Sequence, residues 1–159
     1  MTVHPIPPVY DQNSRVLILG SFPSVQSRKE QFFYGHPQNR FWKVLAAIFE
    51  QELPQTVDDK KQFLLDVGVA LWDVIASCDI EGSADSTIRN VVPNDVERIL
   101  NTAAIEHIFV NGKTAEKYYN RFLRDRLGRQ AVCLPSTSPA NAAWNLERLV
   151  EQWQTIRIE

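Results

Sequence analysis

The sequence predicts an α/β fold, a three-layer αβα sandwich around a short, mainly parallel sheet. Three observations carry that reading. The stretch Arg15 to Ser21 (RVLILGS) holds a short apolar run that stops at a glycine, as a strand buried on both faces does. Segments of strand character alternate with helical ones along the chain. The 159 residues suit one domain, 1–159, with a single core.

Each element has its own signature. After the first strand comes a polar loop to Asn39, punctuated by glycine and proline. From Arg40 the pattern turns helical through Phe41, Trp42, Leu45, Ile48 and Phe49, apolar on most faces and therefore buried. A second helix is expected over Val57 to Val67, closed by Gly68. Val69 to Asp79 (VALWDVIASCD) reads as one extended stretch, followed by a polar loop through Gly82 and Asp85. Pro93 is suited to the first turn of a helix striped by Val96, Ile99, Leu100 and Ala103. Ile105 to Val110 reads as a strand ending at Asn111-Gly112, and Ala115, Tyr118, Tyr119, Phe122 and Leu123 follow at helical spacing. A short strand, Ala131 to Leu134, precedes a closing helix with Ala142, Leu146, Leu149, Val150 and Trp153 on one side.

Bulk properties narrow the function classes. No apolar run approaches the ~20 residues that span a bilayer, and Met1 to Pro8 lacks the pattern of a secretory leader. Cys78 and Cys133 form no CxxC or disulfide framework and are expected as buried thiols, which suggests a reducing, cytoplasmic home. The three histidines are scattered, so no metal site is expected. Neither GxGxxG nor GxxxxGK[ST] occurs, so dinucleotide and P-loop readings have no footing. The net charge of −2 argues mildly against a nucleic-acid binder, although a local basic strip would suffice for brief contact.

In a parallel sheet, ligands collect beyond the carboxyl ends of the strands. Three loops are therefore expected at one rim: Phe22 to Asn39, Asn111 to Thr114, and Pro135 to Pro139. The first (GSFPSVQSRKEQFFYGHPQNRFW, from Gly20) is long for its class and holds Phe32, Phe33 and Tyr34. Phe32, Phe33 and Trp72 suit the core, whereas Tyr34 beside Gly35 suits a flat ligand. Asn39 has two readings, a helix N-cap or a reactive amide. His36 could serve as acid or base, or be structural. In the third loop Ser138-Pro139 makes a cap and first-turn pair, while the hydroxyls of Ser136, Thr137 and Ser138 suit a phosphate. Asn111 could cap the following helix or read a base edge; Asp85 and Ser86 are turn residues or border a ligand.

These motifs resemble the uracil-DNA glycosylase superfamily. Gly20 to Trp42 resembles its first motif, and HPQNRFWKVL (His36 to Leu45) is similar to the mismatch-specific uracil glycosylases and the hypoxanthine-DNA glycosylase branch. Pro135-Ser136-Thr137-Ser138-Pro139 resembles the second motif, the loop inserted into the minor groove, and the likeness extends over nearly the whole chain. One departure selects the branch. Where the mismatch-specific enzymes carry a catalytic Asn two residues past the first Gly, this chain has Phe22, whose ring cannot orient water. In the hypoxanthine branch the role falls to the Asn of HPxN, here Asn39, and ALWDVIASCDIEGSADSTIRN (Ala70 to Asn90) is similar to that branch as well.

The resemblance implies a glycosylase acting on double-stranded DNA that contains a damaged base; no lysine is placed for a Schiff base, so a monofunctional enzyme is expected, with no cofactor, and nothing in the sequence suggests more than a monomer. It would swing out a deaminated purine and hydrolyse its glycosidic bond. Asn39 would hold the attacking water through its side-chain oxygen. Gly20, Ser21, Phe22, Pro23, Tyr34, His36 and Asn111 would surround the base, with Tyr34 stacking on it. Ser24, Arg40, Lys113, Ser136, Thr137, Ser138 and Pro139 would meet the DNA backbone, although Arg40 and Lys113 could equally be solvated surface charge. A uracil or mismatched-pyrimidine substrate and a catalytically silent nucleic-acid-binding module are the competing readings.

Overall fold

Five residues with no exposed member, Val16–Gly20 (β2), form the centre of the molecule in a computed structural model that describes residues 1–158. Glu159, the last residue of the expected domain, lies outside the described residues. β2 pairs in parallel with Val69–Asp73 (β3) on one side and His107–Asn111 (β6) on the other, and β6 pairs in parallel with Val132–Leu134 (β7). The order is thus β3-β2-β6-β7. Because successive connections leave β2 in opposite directions, the carboxyl ends of β2 and β6 part at a topological switch point, where such sheets hold their ligands.

Helices cover the sheet. Phe41–Ile48 (α2) buries Phe41, Trp42, Val44, Leu45, Ala46 and Ile48. Val57–Val67 (α3) starts at Thr56, whose hydroxyl accepts the Asp59 N–H, and stops where Gly68 takes φ 75°. Lys113–Phe122 (α5) and Leu146–Trp153 (α7) follow β6 and β7. The Trp153 indole N–H donates to the Pro135 carbonyl at 2.9 Å and meets Phe41 edge-on, which ties α7 to α2 beneath the third rim loop.

The expected single stretch 69–79 is two strands in two sheets. β3 ends at Asp73, Val74 turns the chain, and Ile75–Asp79 (β4) joins an antiparallel sheet between Thr2–Val3 (β1) and Arg89–Pro93 (β5). Buried Asn94 holds the bend: its side-chain amide donates to the carbonyls of Asp73 and Ile75, and its backbone N–H to that of Val74. Pro93 closes β5 rather than opening a helix, which begins later at Glu97–Thr102 (α4). The closing helix also starts late. Asn145 caps it through the Arg148 N–H, so Ser138-Pro139 stands in a turn-rich loop and Ala142 lies outside the helix. Within the first rim loop, Val25–Glu30 forms a short helix (α1) that the polar sequence did not announce. Arg124–Leu127 (α6) completes the set.

Candidate active site

The three rim loops converge on a cavity of about 1110 Å³ at the switch point. Its walls contain Gly20 to Ser24, Tyr34, His36 and Asn39 from the first loop, Asn111 and Lys113 from the second, and Ser136 to Pro139 from the third. A fourth wall comes from the β4–β5 loop: Asp85, for which bordering a ligand is one of the two expected roles, with Ile80, Ser83 and Ala84, which were not foreseen; Ser86 does not line it. That wall is tied across the mouth, since Arg28 donates to the Gly82 carbonyl and the Ser83 hydroxyl accepts the Val25 N–H. Phe32 and Phe33 are buried in the core, as is Trp72.

A polar chain joins the three loops at the cavity wall, and its polarity follows from the backbone. The Phe41 N–H donates to Asn39 at 2.9 Å, so the atom facing it is Oδ1. The Thr137 N–H donates to Asn111 at 3.1 Å, which likewise fixes that oxygen and leaves Asn111 Nδ2 to donate to the Thr137 hydroxyl. The Thr137 hydroxyl proton then goes to Asn39 Oδ1, 2.9 Å away. The N-cap of α2 is Arg40 rather than Asn39, which bonds the first N–H of the helix from one residue ahead of it and also joins the chain. With two donors on its carbonyl oxygen, the expected water-holding by that oxygen has no lone pair left. The free end of the side chain is Nδ2.

Several expected contacts are placed differently. Arg40 is not a surface phosphate ligand: its guanidinium donates to the carbonyls of Thr137, Ser138, Asn141 and Trp144, and so shapes the third loop from behind. Thr137 has no exposed surface, which rules out a direct phosphate contact. Asn111 does not cap α5, whose first turn begins at Gly112 with φ 93°; a Cβ there would lie 3.0 Å from the Ser136 side chain. Ser24 caps α1 and bonds Ser27. Ser136 and Ser138 each accept a backbone N–H two residues on, which leaves each hydroxyl its own proton to donate outward. The His36 ring accepts the Gln38 N–H through Nδ1. Tyr34 has one ring face already stacked on Phe41, with centroids 4.1 Å apart, so its platform role is reduced. Phe22 is half-buried, with Arg28 over its ring at 5.6 Å.

Residues 7–157 match the family model of the uracil DNA glycosylase superfamily. The chain belongs to that superfamily. Among similar proteins, a hypoxanthine DNA glycosylase from Methanosarcina acetivorans is 34% identical over 152 residues, 94% of each chain. Another from Methanosarcina barkeri is 33% identical over 137 residues, 85% of each chain. A solution NMR structure from Methanosarcina acetivorans, described as a candidate uracil DNA glycosylase, superposes with a TM-score of 0.81 at 32% identity, covering 95% of this chain and 93% of that one. The superfamily fold expected from the motifs is therefore the observed one.

One residue of this superfamily member that the sequence reading passed over stands at the cavity, held from behind by a second. Asp73, at the carboxyl end of β3, lines it while only 4% exposed. His4 Nε2 lies 2.8 Å from Asp73 Oδ2, and His4 Nδ1 accepts the Ile6 N–H, so the ring proton sits on Nε2 and is donated to the carboxylate. A partner 69 residues away leaves no local signal. The position of Asp73 at the end of an apolar strand was the available clue. No helix is long and apolar enough to cross a membrane, and no group of metal-binding side chains occurs among the described residues.

Proposed function

We propose that this protein is a monofunctional DNA glycosylase that removes hypoxanthine from deoxyinosine in base-excision repair. Membership of the superfamily and the names of its similar relatives support the reaction and the substrate. The observation that carries the reading is the cavity at the switch point, with Asn39 held in its wall by Phe41 and Thr137. A base must leave the stack to be cleaved, at a cost of a few kcal/mol that is lowest at mispaired sites. The rim loops then receive the flipped nucleotide, with Phe22 as an apolar wall.

Cleavage runs through an oxocarbenium-like sugar, a state that demands little of the nucleophile beyond position. Asn39 Nδ2 holds the water by donating to it, which orients the water without deprotonating it; as the C1′–N9 bond breaks, the water oxygen bonds C1′ and its proton passes to the released purine anion. Backbone N–H groups near Ser21 and Phe22 stabilise the departing purine anion, and most of the rate comes from such aimed donors. Ser136, Ser138 and Pro139 meet the DNA backbone around the lesion, and Lys113 supplies a positive charge at the same rim. We further propose that residues 1–159 act as one domain, as a monomer in the cytoplasm.

Single-turnover cleavage of duplexes carrying deoxyinosine, deoxyxanthosine or deoxyuridine tests the assignment, with Asn39→Ala alongside. Preferred cleavage at deoxyinosine, lost in the variant, is expected. Preference for deoxyuridine would move the substrate to a pyrimidine; absence of cleavage on every lesion would leave a silent binding module.

A further inference from the structure

The Tyr34 hydroxyl is buried and has no hydrogen-bond partner among the described residues. Asn111 is nearby but engaged on Thr137. Native structures rarely leave such a group unpaired, because its desolvation is not repaid. The fold nevertheless holds it in place: Tyr34 sits in the left-handed region at φ 54°, with its ring stacked on Phe41. The hydroxyl points at the end of β2, where it lies 2.9 Å from the position a Cβ would take on Gly20. Asp73 Oδ1 crowds the same position at 2.3 Å. Glycine is thus the residue that lets a phenol and a carboxylate meet at the strand end. All three residues line the cavity.

The carboxylate is half used. Oδ2 accepts the proton of His4, and Oδ1 has no protein donor among the described residues. The pocket therefore offers an O–H donor beside a carboxylate acceptor, two groups that do not bond to each other. Burial, and then the charge of Asp73, push the phenol far above its ordinary range, so it stays protonated and can donate.

We propose that Tyr34 and Asp73 form a donor–acceptor pair that reads the lactam edge of the flipped base, the ring C=O beside a ring N–H. The phenol donates to the carbonyl oxygen and Asp73 Oδ1 accepts the ring N–H. Hypoxanthine and xanthine present that edge at O6 and N1, and uracil presents it at O4 and N3. Adenine and cytosine present an amino group beside a ring nitrogen lone pair, which faces the carboxylate with like charge and no proton. The pair thus tells hypoxanthine from adenine and uracil from cytosine, whereas guanine and thymine carry the same edge as xanthine and uracil and are not distinguished by it. The inference deepens the proposed function by naming what the site recognises, and it rests on a base entering this cavity.

The test separates recognition from cleavage. The full-length protein is titrated with duplexes carrying a 2′-fluoroarabino nucleotide, whose fluorine disfavours the oxocarbenium-like state and so blocks turnover. The bases are hypoxanthine, unsubstituted purine (no O6, no N1–H) and adenine. Wild type is expected to bind the hypoxanthine duplex about tenfold or more tighter than the other two, the worth of one or two well-made hydrogen bonds. Tyr34→Phe, which keeps the ring, is expected to bring that ratio within about threefold. In Asp73→Asn the His4 N–H keeps Oδ1, so Nδ2 turns to the base as a donor. The variant is then expected to favour the N1 lone pair of purine or adenine. Thermal unfolding of each variant identifies any loss of fold, and if Asp73→Asn fails to fold, the Tyr34→Phe ratio decides alone. Equal binding of the three duplexes by wild type, or an unchanged ratio in folded variants, overturns the proposal. Lactam preference without cleavage of the natural duplex would sink the glycosylase reading and keep this site. Cleavage of deoxyinosine with unchanged ratios would do the reverse.

Discussion

The Thr137 hydroxyl donates to Asn39 Oδ1 at 2.9 Å while accepting from Asn111 Nδ2 at 3.1 Å, a bridge between residues far apart in the chain. It holds the amide of Asn39 in one orientation and spends its oxygen. Thr137→Val keeps the shape and removes the hydroxyl. We expect single-turnover cleavage to slow about tenfold or more, a stability loss of about 1–2 kcal/mol for the orphaned amides, and nearly native DNA affinity. Thr137→Ser should restore the rate. Unchanged cleavage in the valine variant would remove the bridge from the mechanism.

If the working atom of Asn39 is Nδ2, aspartate cannot replace it. Asn39→Asp can still accept the Phe41 N–H and the Thr137 hydroxyl, and a carboxylate is favourable next to a helix N-terminus, so stability should stay within about 0.5 kcal/mol of wild type. Asn39→Ala loses the acceptor of the Phe41 N–H and the Thr137 hydroxyl and about 1–2 kcal/mol. Both should cleave about a hundredfold more slowly or worse, by the loss of a positioned donor. Denaturant titration and single-turnover kinetics read the two effects separately. Wild-type rates in the aspartate variant would return the role to an oxygen atom.

Arg40 and Lys113 both carry a positive charge near the rim, yet only Lys113 lines the cavity. The salt dependence of DNA binding distinguishes them, because each phosphate contact adds about 0.9 to the slope of log K against log salt. Lys113→Ala should reduce the slope by about that amount. Arg40→Met should leave the slope unchanged while weakening binding at every salt concentration, because the loop from Thr137 to Trp144 loses its support. The four carbonyls it abandons should cost about 2–4 kcal/mol of stability. A slope that falls in Arg40→Met would reinstate it as a phosphate ligand.

The parallel sheet was legible because buried strands are short apolar runs with glycine or polar ends, as in Val16–Gly20 and His107–Asn111. The rim loops followed from strand direction alone. The second sheet was not legible: β1 is two residues long, and β4 continues the apolar run of β3, so the turn at Val74 leaves no break in the pattern. What bends it is Asn94, about twenty residues away. Asn39, Thr137 and Asn111 could each be picked as functional from loop position. Their mutual bonding, like that of His4 with Asp73, is a product of tertiary folding. Arg40 shows the converse, a charge that looks solvated in sequence and is committed to a loop in the fold.

The orphaned Tyr34 hydroxyl sets function against stability. Its removal in Tyr34→Phe relieves a buried, unpaired group, so the free protein should gain about 1–3 kcal/mol, read as a rise in Tm, even as lactam preference falls. The sign extends to pH. Burial first, and the Asp73 charge second, raise the folded-state value of the phenol above the unfolded value of 10.0. Its contribution is present below that pH and lost as pH rises through the folded value, because only the unfolded chain releases the proton. The variant should therefore lose less stability than wild type above about pH 10. Gly20→Ala acts on the same point from the other side. Its methyl group would meet Asp73 Oδ1 at 2.3 Å and the phenol at 2.9 Å, so the pair must separate. We expect a loss of about 1–3 kcal/mol from overpacking and, with it, loss of the preference for hypoxanthine over unsubstituted purine. A Gly20→Ala protein with native stability and native preference would show that the two side chains do not work at the end of this strand.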